Sequence, residues 1–188
     1  MNKKEEFLEV YAQIQRPGAD KLLAWLESSD FFRGPASTRF HGSFEGGLCQ
    51  HSLNVYRRLC QLLDSVPDAP NVSPESRAIC ALLHDLCKVN FYGVEMRNRK
   101  NEETGRWEKV PFYTVDEKFH FGHGEKSVFL VERFMPLDTG EAVAIRYHMG
   151  AFREGEGADY AAACEAFPLT FFLHTADMMA GHFDEAAQ

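Results

Sequence analysis

The segment Ala78-Ile79-Cys80-Ala81-Leu82-Leu83-His84-Asp85 places a histidine and a carboxylate directly after six apolar residues. A helix that is apolar on every side is buried. Because an unpaired buried charge is costly, His84 and Asp85 need partners. They either form a buried hydrogen-bonded pair or bind a metal ion. Side chains of adjacent helical residues point about 100° apart, so both can reach one ion only near a helix end.

Two further residues of metal-binding type lie on the apolar faces of predicted helices. His51 lies on the face of a helix from about 47 to 65, and Asp177 on that of a helix from about 168 to 181. His51 is equally consistent with a core histidine. A carboxylate on a buried face needs a cation or several donors. His174 is positioned either to orient Asp177 or to cap the apolar face.

Two more histidines complete the candidate set. His123 stands between two glycines, which allow close backbone approach, and His148 ends a predicted helix three residues after Ile145. Each is also consistent with a structural role. Imidazole and carboxylate groups together suit divalent transition metals. The candidate ligands are His51, His84, Asp85, His123, His148 and Asp177.

Helical periodicity runs through most of the chain and predicts an all-α fold. Two segments rich in apolar and aromatic residues flank a polar turn at 101–105, which predicts a small inserted β-hairpin at about 91–115. The basic and aromatic residues of this hairpin either stack a base or pack on the domain, and we favour packing. A length of 188 residues suits one domain, with N-terminal helices at about 1–33.

Charge and cysteine content narrow the function. The net charge of −8 disfavours a long nucleic acid as a partner. Five cysteines without a CxxC pair predict free buried thiols in a reducing compartment. Since there is no signal-like N-terminus and no apolar stretch of membrane-spanning length, we expect a cytoplasmic protein without membrane contact.

The motifs resemble those of the HD superfamily of metal-dependent phosphohydrolases. GGLCQHSL at 46–53 resembles the first-histidine helix of that family, ALLHDLCK at 81–88 its HDxxK segment, and LHTAD at 173–177 its last-aspartate helix. The resemblance covers about 40–183. His123 and His148 resemble the additional histidines of the subgroup that binds two metals.

The resemblance implies an HD-domain helical bundle with two bound divalent ions. One ion would be held by His51, His84, Asp85 and Asp177. The second would be held by His123 and His148, with Asp85 bridging both. The metal could be iron, manganese, nickel, cobalt or zinc. Such a pair generates a hydroxide that attacks a phosphoryl group.

The resemblance also implies a small phosphorylated substrate, most plausibly a nucleotide, cleaved as a monoester or a diester. Asp85 and Lys88 would be the catalytic residues. Lys88, Arg146 and Lys126 could bind phosphate oxygens, although Arg146 and Lys126 are also consistent with solvated surface cations. Two alternatives remain: a di-iron oxygenase of the same superfamily and a non-catalytic nucleotide sensor. The sequence leaves the oligomeric state open.

Overall fold

The computed structural model describes residues 2–39, 42–152 and 154–185. Phe40 and His41, at the start of the stretch covered by the family resemblance, lie outside the described residues, as does Arg153. The described residues form eight α-helices and one two-stranded antiparallel sheet. In chain order the elements are α1 (Lys3–Tyr11), α2 (Ala19–Ser28), α3 (Gly47–Ser65), α4 (Pro74–Leu83), β1 (Tyr92–Lys100), β2 (Trp107–Val115), α5 (His123–Glu132), α6 (Thr139–Arg146), α7 (Gly157–Ala166) and α8 (Leu169–Met179).

Helix α4 is the centre of the fold. Its residues from Ala78 to Leu83 are completely buried, as their uninterrupted apolar character predicts. Helices α3 and α6 contact α4, and α8 packs against both α3 and α6. The C-terminal end of α4 therefore opens into a space enclosed by other helices.

The start and the end of α4 follow from local sequence. Ser73 caps the helix by accepting a hydrogen bond from the backbone of Ser76, and Pro74 occupies the first helical position. The helix ends at Leu83, and a 3₁₀ turn follows at Leu86–Lys88. Asp85 lies between them with φ −105° and ψ 21°, outside the regular helical range. This break lets His84 and Asp85 point toward the same space.

The strands β1 and β2 form the hairpin predicted from the sequence. Tyr92 pairs with Val115 at its base and Lys100 with Trp107 at its far end. Trp107 is 71% exposed, so this aromatic side chain does not pack on the domain as we expected.

Among the described residues, no helix has both the length and the apolar character needed to cross a membrane.

Gly124, next to His123, lets helix α5 approach the end of helix α6. A Cβ atom added at Gly124 would lie 2.1 Å from the carbonyl oxygen of Arg146. Backbone atoms cannot yield as a flexible side chain can. The close approach therefore depends on glycine at this position, and it brings His123 and His148 to the same site.

We expect Gly124→Ala to lower the free energy of unfolding by about 1–3 kcal/mol, because the methyl group forces α5 and α6 apart. Urea unfolding measures this change. Gly157→Ala is the matched control, since a Cβ there meets no atom within 4 Å and Gly157 lies at the start of α7. Equal stability of the two variants would contradict the close approach.

Candidate metal centre

The structure brings all six candidate ligands together at the end of helix α4. His51 comes from α3, His123 begins α5, and Asp177 lies on α8. His148 follows α6 directly. His51, His84, Asp85 and His148 are almost completely buried, whereas His123 and Asp177 are partly accessible. The four buried side chains line the interior of the site, and the side chains of His123 and Asp177 extend from it to the surface.

Four ligand atoms form a first cluster. His51 Nε2 lies 3.1 Å from Asp177 Oδ1, 3.3 Å from His84 Nε2 and 3.5 Å from Asp85 Oδ2. His84 Nε2 lies 3.6 Å from Asp85 Oδ2 and 3.9 Å from Asp177 Oδ1. Nitrogen and oxygen ligands bound tetrahedrally at about 2.0–2.2 Å lie about 3.3–3.6 Å apart. His51, His84 and Asp177 could therefore hold one ion, and Asp85 Oδ2 lies beside both histidines.

A second cluster surrounds the other oxygen of Asp85. His123 Nε2 lies 2.9 Å from Asp85 Oδ1, and His148 Nε2 lies 3.4 Å from it. The carboxylate thus directs Oδ2 toward the first cluster and Oδ1 toward the second. The two rings are close, with 5.2 Å between the centroids of His123 and His148.

Hydrogen bonds behind three of the histidines set the direction of their lone pairs. Nδ1 of His51 donates to Glu185 at 3.0 Å. Nδ1 of His84 donates to the Ala81 carbonyl at 2.9 Å, and Nδ1 of His148 donates to the Ile145 carbonyl at 2.7 Å. When a ring carries only this Nδ1 proton, as it must to bind a metal ion, its Nε2 presents a lone pair to the centre. A histidine ligand held from behind in this way is typical of metal sites.

His148 is the ligand whose surroundings best match a bound cation. Its Nε2 atom is buried and has no hydrogen-bond partner among the described residues. The oxygen nearest to it, Asp85 Oδ1, cannot donate while the carboxylate is ionised. Two facing acceptors repel unless a proton or a metal ion lies between them. The buried His and Asp side chains, with nearby Cys87, could therefore hold a metal ion.

Burial and the close contacts between these side chains shift the pKa values of His84, His51 and Asp85. Burial lowers the pKa of His84 to about 4. Burial opposes the charge on His51 as well, but the contacts with Asp177 and Glu185 outweigh it and raise the pKa of His51 to about 10. Burial would raise the pKa of Asp85, yet Lys88 and His84 hold that pKa well below its usual value. In the metal-free protein, the imidazole of His51 therefore carries a positive charge at neutral pH.

An open cavity of about 640 Å³ leads to the centre. Asp85, Lys88, His123 and Asp177 line its floor, and Lys88 Nζ lies 2.6 Å from Asp85 Oδ2. The cavity walls include several mostly apolar residues, namely Ala36, Tyr92, Val115, Met149, Phe152 and Met178. A ligand of moderate size can therefore reach the candidate metal ligands from one side.

Lys126 and Arg146, the other two candidate phosphate contacts, are held by carboxylates beside this cavity. Lys126 is buried and donates to Glu117 at 2.8 Å. Arg146 pairs with Glu125 and Glu156, at 2.8 Å in each case. His174 donates to the His148 carbonyl at 2.7 Å, so it supports the backbone at His148 rather than Asp177.

Glu185 and Cys87 also belong to the centre, although sequence reasoning did not select them as site residues. Glu185 is 2% exposed and is additionally held by Asn54, whose amide donates to it at 3.0 Å. No periodic pattern marks Glu185, because it follows the last helical segment near the end of the chain. Cys87 was expected only as a free buried thiol, which it is. Its position two residues after Asp85 was the available signal.

No family model, curated protein or solved structure matches this chain. The geometry of the two clusters is therefore the basis for any inference about the function of this chain.

We expect His51 to be doubly protonated and His84 to be neutral in metal-free protein at neutral pH. The raised pKa of His51 keeps its proton on, whereas the lowered pKa of His84 keeps the second proton off. Nitrogen-15 NMR of the imidazole rings distinguishes these states. Glu185→Gln should lower the pKa of His51, because it removes a negative acceptor. A neutral His51 in the unsubstituted protein would contradict this interpretation.

Proposed function

We propose that this protein is a phosphohydrolase of the HD type that uses two divalent transition-metal ions. The observation that carries the proposal is the division of the Asp85 carboxylate between two clusters, with one oxygen facing each. A structural site needs only one closed set of ligands. A shared carboxylate beside an open cavity is what a two-metal hydrolytic site requires.

The proposed ligands divide according to the two oxygens of Asp85. The first ion takes His51, His84, Asp85 and Asp177, and the second takes Asp85, His123 and His148. These nitrogen and oxygen ligands suit iron, manganese, nickel, cobalt or zinc. Ions held in such pairs activate water and neutralise phosphoryl oxygens. The cavity leaves one side of the centre accessible to water and substrate.

Lys88 is the proposed phosphate contact of the protein itself. It lines the cavity, its side chain is 12% exposed, and Asp85 holds its ammonium group close to both clusters. A fixed cation beside the reacting group stabilises negative charge that develops on phosphoryl oxygens. Arg146 and Lys126 are weaker candidates, because Glu125, Glu156 and Glu117 already neutralise them.

The cavity supports a small organic phosphate as substrate. Its volume of about 640 Å³ lies within the range of about 300–1,000 Å³ of small-molecule sites. The phosphate would face the floor, and the base or another organic group would contact apolar walls that include Tyr92, Met149 and Phe152. A nucleotide meets both requirements. The net charge of −8 disfavours a long nucleic acid as substrate.

Protein purified without chelators or metal-affinity columns should contain about two ions per chain. His123→Ala/His148→Ala should retain about one, because the first cluster is left intact. Asp85→Asn should lose both, since its carboxylate serves both clusters. Elemental analysis measures these contents, and His120→Ala, an exposed histidine outside both clusters, is the control. Full metal content in Asp85→Asn would refute the shared carboxylate.

Metal-loaded protein should hydrolyse phosphate esters in a panel of nitrophenyl mono- and diesters and nucleotides. Lys88→Met should lower kcat/KM by about 10²-fold or more without loss of metal, because it removes one charge that stabilises the transition state. Lys118→Met, which changes an exposed lysine, is the control. If fully loaded protein turned over none of these esters, the hydrolase proposal would fail and a nucleotide-binding role would replace it.

A further inference from the structure

The thiol of Cys87 lies inside the second cluster. Its side chain belongs to the 3₁₀ turn after Asp85 and is only 3% exposed. The sulfur is 3.4 Å from His123 Nδ1, 3.5 Å from His123 Nε2 and 4.0 Å from Asp85 Oδ1. Because the sulfur is nearly equidistant from both ring nitrogens, it is not directed at one of them as in a strong hydrogen bond.

The separations of these atoms fit a common ion. Bonds of about 2.3 Å to sulfur and about 2.0–2.2 Å to nitrogen and oxygen, at tetrahedral angles, hold neighbouring ligand atoms about 3.3–3.6 Å apart. The observed separations are 2.9 Å between His123 Nε2 and Asp85 Oδ1, 3.5 Å between sulfur and His123 Nε2, and 4.0 Å between sulfur and Asp85 Oδ1. The three atoms lie within 4.0 Å of one another, and Asp85, Cys87 and His123 form a group that could hold one metal ion.

An independent observation at the same place favours a bound cation. His148 Nε2, completely buried and without a hydrogen-bond partner in the described part of the chain, lies 3.4 Å from the same Asp85 Oδ1. Two histidines and the sulfur thus converge on one carboxylate oxygen. Asp85, Cys87 and His123 offer one oxygen, one sulfur and one nitrogen to a single ion, and His148 approaches the same oxygen.

We propose that Cys87 is a ligand of the second ion and binds it through a thiolate beside Asp85, His123 and His148. This inference rests on the proposed two-metal function and adds a ligand to it. On coordination the S–H bond breaks, the sulfur lone pair forms the bond to the metal, and the proton leaves to solvent. The second site then prefers a thiophilic ion such as Zn²⁺, while the first cluster offers only nitrogen and oxygen.

The two clusters are therefore chemically unequal. Manganese and magnesium favour oxygen-rich sites and gain little from a thiolate, whereas zinc binds sulfur strongly. We expect the second site to retain Zn²⁺ in competition with Mn²⁺. The first site should discriminate less between these ions.

Cobalt provides the direct test, because a Co²⁺–thiolate bond produces a strong near-ultraviolet charge-transfer absorption. Chelator-treated full-length protein is titrated with Co²⁺ to saturation. The unsubstituted protein and Cys164→Ser, which alters a half-buried cysteine on α7, should both develop the band. Cys87→Ser should lack it while still binding the ion of the first cluster. A zinc titration should show the second Zn²⁺ bound at least about tenfold more weakly in Cys87→Ser.

X-ray absorption at the zinc edge gives a second measurement that needs no variant at Cys87. The unsubstituted protein and Cys164→Ser, each with two Zn²⁺ per chain, should show zinc–sulfur scattering at about 2.3 Å. Two bound ions without sulfur scattering and without the cobalt band would overturn Cys87 as a ligand and leave the two-metal function standing. Persistence of the band in Cys87→Ser would have the same meaning. A protein that takes up neither metal would overturn both proposals together.

Discussion

The structure depends on one buried carboxylate, that of Asp85. It lies at the end of a helix that is completely buried over its last six residues and is itself only 2% exposed, so water solvates its charge poorly. Its neighbours must do so, and they come from several parts of the chain. Lys88 contacts Oδ2, while His123 and His148 approach Oδ1. Removal of these partners would leave an uncompensated charge in the core, which is among the most destabilising changes a protein can undergo.

The packing of the helices serves this requirement. Close approach of α5 to the end of α6 at Gly124 brings His123 and His148 to the same side of Asp85. Helices α3 and α8 contact each other and deliver His51 and Asp177 to the opposite side. The packing of the helices therefore determines where these polar side chains lie. The candidate ligands come from five elements of the chain, and hydrogen bonds to Nδ1 fix the rings of His51, His84 and His148.

The hydrogen bonds to Nδ1 also affect the protonation of the histidines. Carbonyl oxygens within the same local turns hold His84 and His148, whereas His51 depends on Glu185, which is 134 positions away. A carboxylate partner increases the basicity of an imidazole more than a neutral carbonyl does. Burial lowers the pKa of His84 to about 4, whereas the hydrogen bonds of His51 with Asp177 and Glu185 outweigh burial and raise the pKa of His51 to about 10. The two histidines of the first cluster thus differ in charge before any ion binds.

The sequence by itself determined the helical character, the hairpin and the six residues that meet at the centre. Apolar periodicity and the interruption of an apolar helix by His84 and Asp85 are local signals, so they can be recognised in the sequence alone. Only the tertiary structure decided which oxygen of Asp85 faces which cluster. It also revealed the contact between His51 and Glu185, the contact between the Cys87 thiol and His123, and the carboxylates that hold Arg146. These features depend on side-chain direction and on contacts between distant segments, which residue spacing along the chain does not encode.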